Sequence, residues 1–175
     1  MEGKFEEIKQ EILRRAHEAN ACKKQYGRAY KAENMAGLCR VIKDNWDWCC
    51  NLDVVTPDLL EKYRDEFAEQ QIYVNVDTDN GFLLASGNAT VEASGNATVR
   101  ASDNATVEAW GNATVEASDN VTGEASDNAY YTSYSMIKCK LSKEALYRVR
   151  STNTVYFASD DIKFVKQELI QQKSV

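Results

Sequence analysis

An eight-residue repeat constrains this chain more than any other feature, because a short fixed period specifies stacked, equivalent units. From residue 86 the chain reads SGNATVEA, SGNATVRA, SDNATVEA, WGNATVEA, SDNVTGEA and a degenerate SDNAYYTS that ends at Ser133. Within an octad, Ala, Val and Ala alternate with Asn, Thr, Glu and Ser, which is the period-two pattern of a β-strand. The apolar set must face inward, since the opposite choice would bury an ionised Glu in almost every repeat.

Two architectures are compatible with this octad, an antiparallel meander and a β-solenoid. Two-residue turns would move the apolar set to the other face at each strand, so a meander needs three-residue loops. In a solenoid, equivalent octads stack about 4.8 Å apart and their asparagines form corner ladders. The inward side chains are too small for a lone sheet, which favours the solenoid. Two octads per coil suit so small a core, and a three-sided coil is the alternative.

The two ends of the array carry larger side chains. The octad TDNGFLLA, before the array, places Phe82 and Leu84 in the outward columns, and the last octad places Tyr130 outward and Tyr131 inward. Because a solenoid needs caps on its terminal coils, these residues predict cap contacts.

The predicted fold class is α+β, with three segments. They are a helical N-terminal segment over 1–70 that caps the array, a β-solenoid of octapeptide repeats over 71–135, and a small α/β C-terminal segment over 136–175. Asn34 is a predicted N-cap, and Thr56-Pro57-Asp58 predicts a helix start, with a helix that runs to about residue 70.

After the array we predict a strand at 136–141, a short helix that begins at 142–146, and a hairpin of 153–159 with 162–165.

Charge is unevenly distributed along the chain. Residues 86–128 hold seven acids and one arginine, whereas residues 129–175 have a net charge of +4 within a total of −6. We therefore expect an acidic rod with a basic end, an asymmetry that bears on partners rather than on fold. The chain has no apolar run near the ~18 residues of a membrane span, and its charged first residues do not resemble a signal peptide. A cytoplasmic protein without membrane contact is expected.

No set of residues with catalytic spacing is found. His17 is the single histidine, in a helix rich in charged residues, and the five cysteines include no CxxC pair. This pattern predicts reduced, mostly buried thiols, no metal, no cofactor and no enzymatic activity.

The acidic positions of the array and one tryptophan form the predicted partner-binding surface. A two-octad coil places Glu92, Glu108 and Glu124 on one side and Glu116 on the other, beside Arg100. The alternative for the acids is a solvated face that keeps a regular sheet soluble, and the alternative for the tryptophan is packing under a cap. The full set is Glu92, Asp103, Glu108, Trp110, Glu116, Asp119, Glu124 and Asp127.

The octads, together with IKDNWDWCC and TPDLLEKYRDEF in the helical segment, resemble octapeptide-repeat proteins of gut bacteria and their phages. The resemblance extends from Met1 to about Ser133. It implies an origin in mobile elements, and it brings no established activity and no functional residues.

These features favour a non-catalytic interaction protein. Its most concrete form is a phage-encoded, anti-CRISPR-like inhibitor, whose rigid anionic surface mimics DNA and occupies the basic groove of a host nucleic-acid enzyme. Its partner is then a protein, and direct nucleic-acid binding is not expected. The alternative is a structural module that self-associates as a homo-oligomer, with the basic tail of one copy against the acidic array of the next.

Overall fold

The computed structural model describes residues 2–159, in which a group of helices is followed by a two-sided β-solenoid. The helices are α1 (Glu2–Glu18), α2 (Lys23–Tyr30), α3 (Met35–Asp44), α4 (Trp46–Asn51), α5 (Pro57–Lys62) and α6 (Arg64–Ala68). The strands are β1 (Ile72–Val74), β2 (Phe82–Ala85), β3 (Thr90–Ala93), β4 (Thr98–Ala101), β5 (Thr106–Ala109), β6 (Thr114–Ala117), β7 (Thr122–Ala125), β8 (Tyr130–Ser133), β9 (Lys138–Leu141), β10 (Leu146–Val149) and β11 (Thr154–Phe157). In this part of the chain no helix has the length and apolarity to cross a bilayer.

Both predicted helix starts are present. The side chain of Asn34 accepts the backbone N–H of Gly37 at 2.9 Å, and the side chain of Thr56 accepts that of Leu59 at 3.3 Å. The single helix predicted to reach residue 70 is instead divided into α5 and α6. Tyr63 lies at the break with φ −122° and ψ 38°, is buried, and donates its hydroxyl to Glu7 at 2.6 Å.

One coil of the solenoid consists of two octads. Strands of even number from β2 to β10 pair in parallel, and so do β3, β5, β7 and β9, with partners sixteen residues apart. We call the seven-stranded sheet face A and the four-stranded sheet face B. The parallel pairing confirms the solenoid over the meander and gives about four turns, each with two sides.

The corners repeat because their backbone requires particular residues. The second octad position has positive φ, between 55° and 66° throughout the repeats from Gly87 to Asp127, so it is held by glycine or aspartate. The third position is asparagine, and its side-chain amides form the predicted ladders with N···O distances of 3.3–3.5 Å. One ladder runs along one corner through Asn88, Asn104 and Asn120, and the other runs along the opposite corner through Asn96, Asn112 and Asn128.

The helical segment packs on the outer side of face A, and not only over the end of the array. Phe82 and Leu84 point outward, as predicted, and contact the helical core, whereas Leu83 between them lies in the solenoid core. The rings of Trp46 and Phe82 meet edge to face at 5.3 Å. At the N-terminal end of the solenoid core, Tyr73 covers the first coil. Strands β1 and β2 therefore belong to two hydrophobic cores at once.

The solenoid also continues beyond residue 135, where an α/β segment was predicted. Strands β9 and β10 add to faces B and A in the parallel register of the repeats. The predicted helix start at 142–146 is a corner followed by β10. The strand β11, within the predicted strand 153–159, pairs antiparallel with β10. The hairpin partner predicted for it at 162–165 lies outside the described residues.

Octad spacing persists in these last coils, although the consensus letters are lost. The fourth, sixth and eighth positions remain apolar and belong to the solenoid core: Ile137, Cys139, Leu141, Ala145, Tyr147 and Val149. The size of the side chains changes while the period of eight does not, and this period is the signal that identifies the additional coils.

One pair of substitutions in the array is complementary. Tyr131 takes the place of an inward valine on face A and is fully buried, with its hydroxyl donating to the carbonyl of Val107 at 2.6 Å. Gly123 takes the place of the facing valine on face B, and a Cβ there would lie 2.8 Å from the Tyr131 ring. The missing side chain of Gly123 thus provides the space that the tyrosine fills.

We expect Gly123→Val and Tyr131→Val each to destabilise the protein, and the double variant to recover most of the loss. Gly123→Val overpacks the core and should lower the free energy of unfolding by about 1–3 kcal/mol. Tyr131→Val leaves a cavity and should lower it by about 2–4 kcal/mol. The double variant restores valine at both positions, as in the other coils. Denaturant unfolding of the four proteins measures the coupling. A double variant that loses the sum of the two single losses would show that the residues do not share this space.

Candidate functional site

The outer surface of face B is the most regular exposed surface of the described chain. It carries two columns parallel to the solenoid axis, a threonine column and a glutamate column. Glu92, Glu108 and Glu124 are exposed and lie in register, one coil apart. In the last coil the glutamate column continues as Lys140.

The seventh octad position holds different charges on the two faces. On face B it holds three glutamates at neighbouring positions. On face A it holds Leu84, Arg100, Glu116, Thr132 and Arg148. Two like charges about 4.8 Å apart repel by about 0.9 kcal/mol in bulk water and by less in salt. The glutamate column therefore opposes folding slightly, whereas Arg100 and Glu116 attract.

Two further acids lie along one edge of face B. Asp103 and Asp119 occupy the same corner in consecutive coils, just before the threonine column. Each carboxylate accepts a backbone N–H from the preceding coil: Asp103 from Gly87 at 2.9 Å and Asp119 from Asp103 at 3.3 Å. These hydrogen bonds hold both carboxylates in place at the corner. The predicted partner-binding aspartates thus also have a structural role.

Glu116 lies on face A, as predicted, in an ion-pair cluster. Its carboxylate is 2.8 Å from Arg100 and 2.6 Å from Arg150, and the side chains of Glu116 and Arg100 are only 15% and 13% exposed. Burial opposes ionisation, but the two arginines outweigh it and hold the pKa of Glu116 below its usual value. Glu116 therefore joins Arg100 of β4, one coil earlier, to Arg150, which follows β10, and it is not part of the open acidic surface.

The same cluster reaches the helical segment. Arg100 donates a hydrogen bond to Asn51 at the end of α4. Partial burial and the charge of Glu116 raise the pKa of Asp47, also on α4.

Two other predicted residues, Asp127 and Glu124, form ion pairs with lysines at the C-terminal end of the solenoid. Asp127 lies 2.5 Å from Lys143, and this contact, with the N–H of Gly111, holds the pKa of Asp127 below its usual value. Glu124 lies 3.3 Å from Lys140, with both side chains at least half exposed. Within residues 2–159, Glu92 and Glu108 form no ion pair.

Trp110 lies at the opposite edge of face B, where the corner column otherwise holds small residues. Its side chain is half-buried and borders a groove on each side along the axis. The helical segment packs on the other face, whereas Tyr73, which covers the first coil, lines one of these grooves together with Trp110. Of the eight predicted residues, six thus remain on face B or its edges without a strong ion pair: Glu92, Asp103, Glu108, Trp110, Asp119 and Glu124.

The titratable groups elsewhere show no arrangement for catalysis in the described residues. His17 is exposed, and its ring is 6.4 Å from that of Tyr26. Burial raises the pKa of four thiols to about 12, which keeps them protonated at neutral pH: Cys39, Cys49, Cys50 and Cys139. Among residues 2–159, no three His, Cys, Asp or Glu side chains are placed to hold a metal ion.

An apolar void lies inside the helical segment, between α1, α2 and α3. It is lined by side chains such as Ile12, Tyr26 and Val41, and it has a volume of about 30 Å³. That is about the share of liquid volume of one water molecule, so it does not suit a cofactor.

Comparison with known proteins gives no relative. The chain matches no protein-family model, no curated protein and no solved structure.

We expect Glu116→Gln to destabilise the protein at pH 7 by about 1–3 kcal/mol, because Arg100 keeps its burial and loses its counter-charge. The pKa of Glu116 is lower in the folded protein, so its contribution is complete above the unfolded pKa, near 4.3, and is lost as pH falls through the folded pKa. The difference between wild type and variant should therefore narrow below about pH 4. Urea unfolding from pH 7 to pH 3 measures it, with Glu92→Gln as the exposed, unpaired control. A difference that is constant over this range would contradict the ion-pair explanation.

Proposed function

We propose that this protein is a non-catalytic interaction protein that binds a basic protein surface through face B. The observation that carries the proposal is the glutamate column, in which like charges are stacked in register on the exposed side of a regular parallel sheet. A sheet needs no such column for stability, since repulsion makes it unfavourable. Face A places both signs of charge at the same octad position, so the repeat itself does not impose the acid.

The spacing of these carboxylates suits a surface that normally binds nucleic acid. Duplex DNA carries one charge per about 1.7 Å of its axis. In the two coils that hold both a corner aspartate and a face B glutamate, the carboxylates average about one per 2.4 Å of the solenoid axis. The surface is somewhat less charged than DNA, but its carboxylates project from a rigid sheet. Rigid charges bind with a smaller loss of side-chain and chain entropy.

The most concrete form of this proposal is an inhibitor, encoded by a phage, that occupies the nucleic-acid groove of a host enzyme such as a CRISPR nuclease. The acidic face supports the mimicry, and the resemblance of the octads to phage and gut-bacterial repeats supports the origin. A decoy of this kind needs no catalytic residues and no cofactor. It needs a rigid surface that its target cannot cleave.

A triple variant, Glu92→Gln, Glu108→Gln and Glu124→Gln, tests the proposal in a pull-down from nuclease-treated bacterial lysate. We expect wild type to retain a nucleic-acid enzyme that added duplex DNA displaces. The variant should retain at least about tenfold less of this enzyme, since each of the three exposed contacts contributes a fraction of the binding energy. The retained enzyme is identified by mass spectrometry, and its activity on DNA is assayed with and without the protein.

The matched control changes three exposed glutamates elsewhere, Glu33→Gln, Glu69→Gln and Glu144→Gln, with the same change in net charge. Equal loss in the control would mean that total charge, not face B, is responsible. Undiminished capture by the face B variant, or no effect of DNA on the complex, would contradict mimicry.

Self-association is the second candidate, and the charge gradient along face B favours it. The threonine and glutamate columns end as Lys138 and Lys140, so the surface is acidic in its first coils and basic in its last. Two copies placed antiparallel, face to face, would match opposite charges. The pairs of Lys140 with Glu124 and of Lys143 with Asp127 already satisfy part of this attraction within one chain.

If self-association is the function, sedimentation velocity in 20 mM salt should show dimers or larger species that dissociate in 500 mM salt, because the contact is electrostatic. Lys138→Glu with Lys140→Glu should abolish them. A monomer at both salt concentrations would exclude this candidate at the concentrations measured.

A further inference from the structure

Trp110 interrupts a corner column whose other members are serines, Ser94, Ser126 and Ser142. Because its neighbours along the axis are serines, the indole borders open space on both sides. The groove toward the C-terminal end is lined by Glu108, Glu124 and Lys140. The groove toward the N-terminal end is lined by Tyr73, Asp77, Asp79 and Glu92.

The two grooves differ in charge. The C-terminal groove contains a lysine that lies 3.3 Å from Glu124 and reduces its negative charge. The N-terminal groove contains three carboxylates, two aromatic rings and no basic side chain. The Asp77 carboxylate is held in place, because it accepts the backbone N–H of Glu92 at 2.8 Å. The N-terminal groove therefore combines an aromatic wall with a fixed negative charge.

We infer that this N-terminal groove receives an arginine side chain of the protein partner, an inference that rests on the proposed function of face B. A guanidinium is planar, so it stacks on the indole of Trp110 that borders the groove, while its edge N–H groups bind the carboxylates of Glu92 and Asp79. A lysine ammonium satisfies the charge, but it neither stacks nor forks in this way. Arginine is also the basic residue most enriched where proteins bind one another and where they bind phosphates.

Blocked hexa-arginine and hexalysine peptides, which carry equal charge, test the inference on the whole chain. Titration is followed by the indole N–H signals of the ¹⁵N-labelled protein. We expect hexa-arginine to bind about fivefold more tightly than hexalysine and to shift the Trp110 indole signal, since a single stacking contact contributes modestly. Trp110→Ala should remove this preference and leave the affinity for hexalysine unchanged. The double variant Asp79→Asn with Glu92→Gln should have a lower affinity for both peptides.

The matched control is Tyr134→Ala, which removes an exposed aromatic ring from the equivalent position of the opposite corner. It should leave the preference for arginine intact. Equal affinities of the two peptides for wild type, a preference that survives Trp110→Ala, or a preference lost in Tyr134→Ala would each overturn the inference.

The same variants separate this inference from the proposed function. If Trp110→Ala still captures the nucleic-acid enzyme at wild-type level while the glutamate variants do not, the arginine groove is wrong and the acidic decoy stands. If no such enzyme is captured but the peptide preference depends on Trp110, the decoy is wrong and the groove stands as an arginine site for another basic partner.

Discussion

Strand β2 presents hydrophobic side chains on both faces of its sheet, and the packing of the rest of the structure depends on this arrangement. Leu83 faces the solenoid core, while Leu84 and Phe82 face the helices, so two cores meet across one sheet. Because successive side chains alternate between faces, a slip of one residue would exchange the two sets and expose both cores. The register of the first coil is therefore determined from both sides. Each following coil inherits it through the parallel ladder.

The inward alanines and valines of the array make this support necessary. A coil lined by such small side chains buries little apolar area, so a few isolated coils would be only weakly stable. Three features compensate. The helical core packs against the outer side of the first coil. The asparagine ladders and corner aspartates form hydrogen bonds between coils. Tyr131 fills the interior near the C-terminal end. The ion pair of Glu116 with Arg150 then connects β6 to the segment after β10, which are not neighbours along the solenoid axis.

Much of the fold could be predicted from the octad, because the period, the side-chain parity and the corner residues all follow from local rules. The position of the helices on face A was not predicted, although the outward Phe82 and Leu84 were the signal for it. Such contacts join residues distant in sequence, and no local pattern specifies where they meet. The last coils were missed for a different reason. The consensus residues end near Ser133, whereas Cys139, Tyr147 and Val149 keep only the spacing of the octad.

The candidate site was predicted less completely than the fold. The sequence separates Glu116 from Glu92, Glu108 and Glu124 once two octads form a coil, and the structure places them accordingly. It does not reveal that Arg150 returns to Glu116, or that Lys143 reaches Asp127, because both bases lie beyond the consensus repeats.

The packing of the helices also determines which surface is available for binding. The helical segment covers the outer side of face A near the first coils, where the charges are mixed and paired. Face B keeps Glu92 and Glu108, which form no ion pair in the described chain, together with the corner aspartates and Trp110. Octads of one consensus thus produce two chemically different surfaces, since the outer side of face A packs against the helices and face B carries the stacked glutamates. The preservation of like charges on that second sheet, against their own repulsion, is the physical reason to look for a binding partner there.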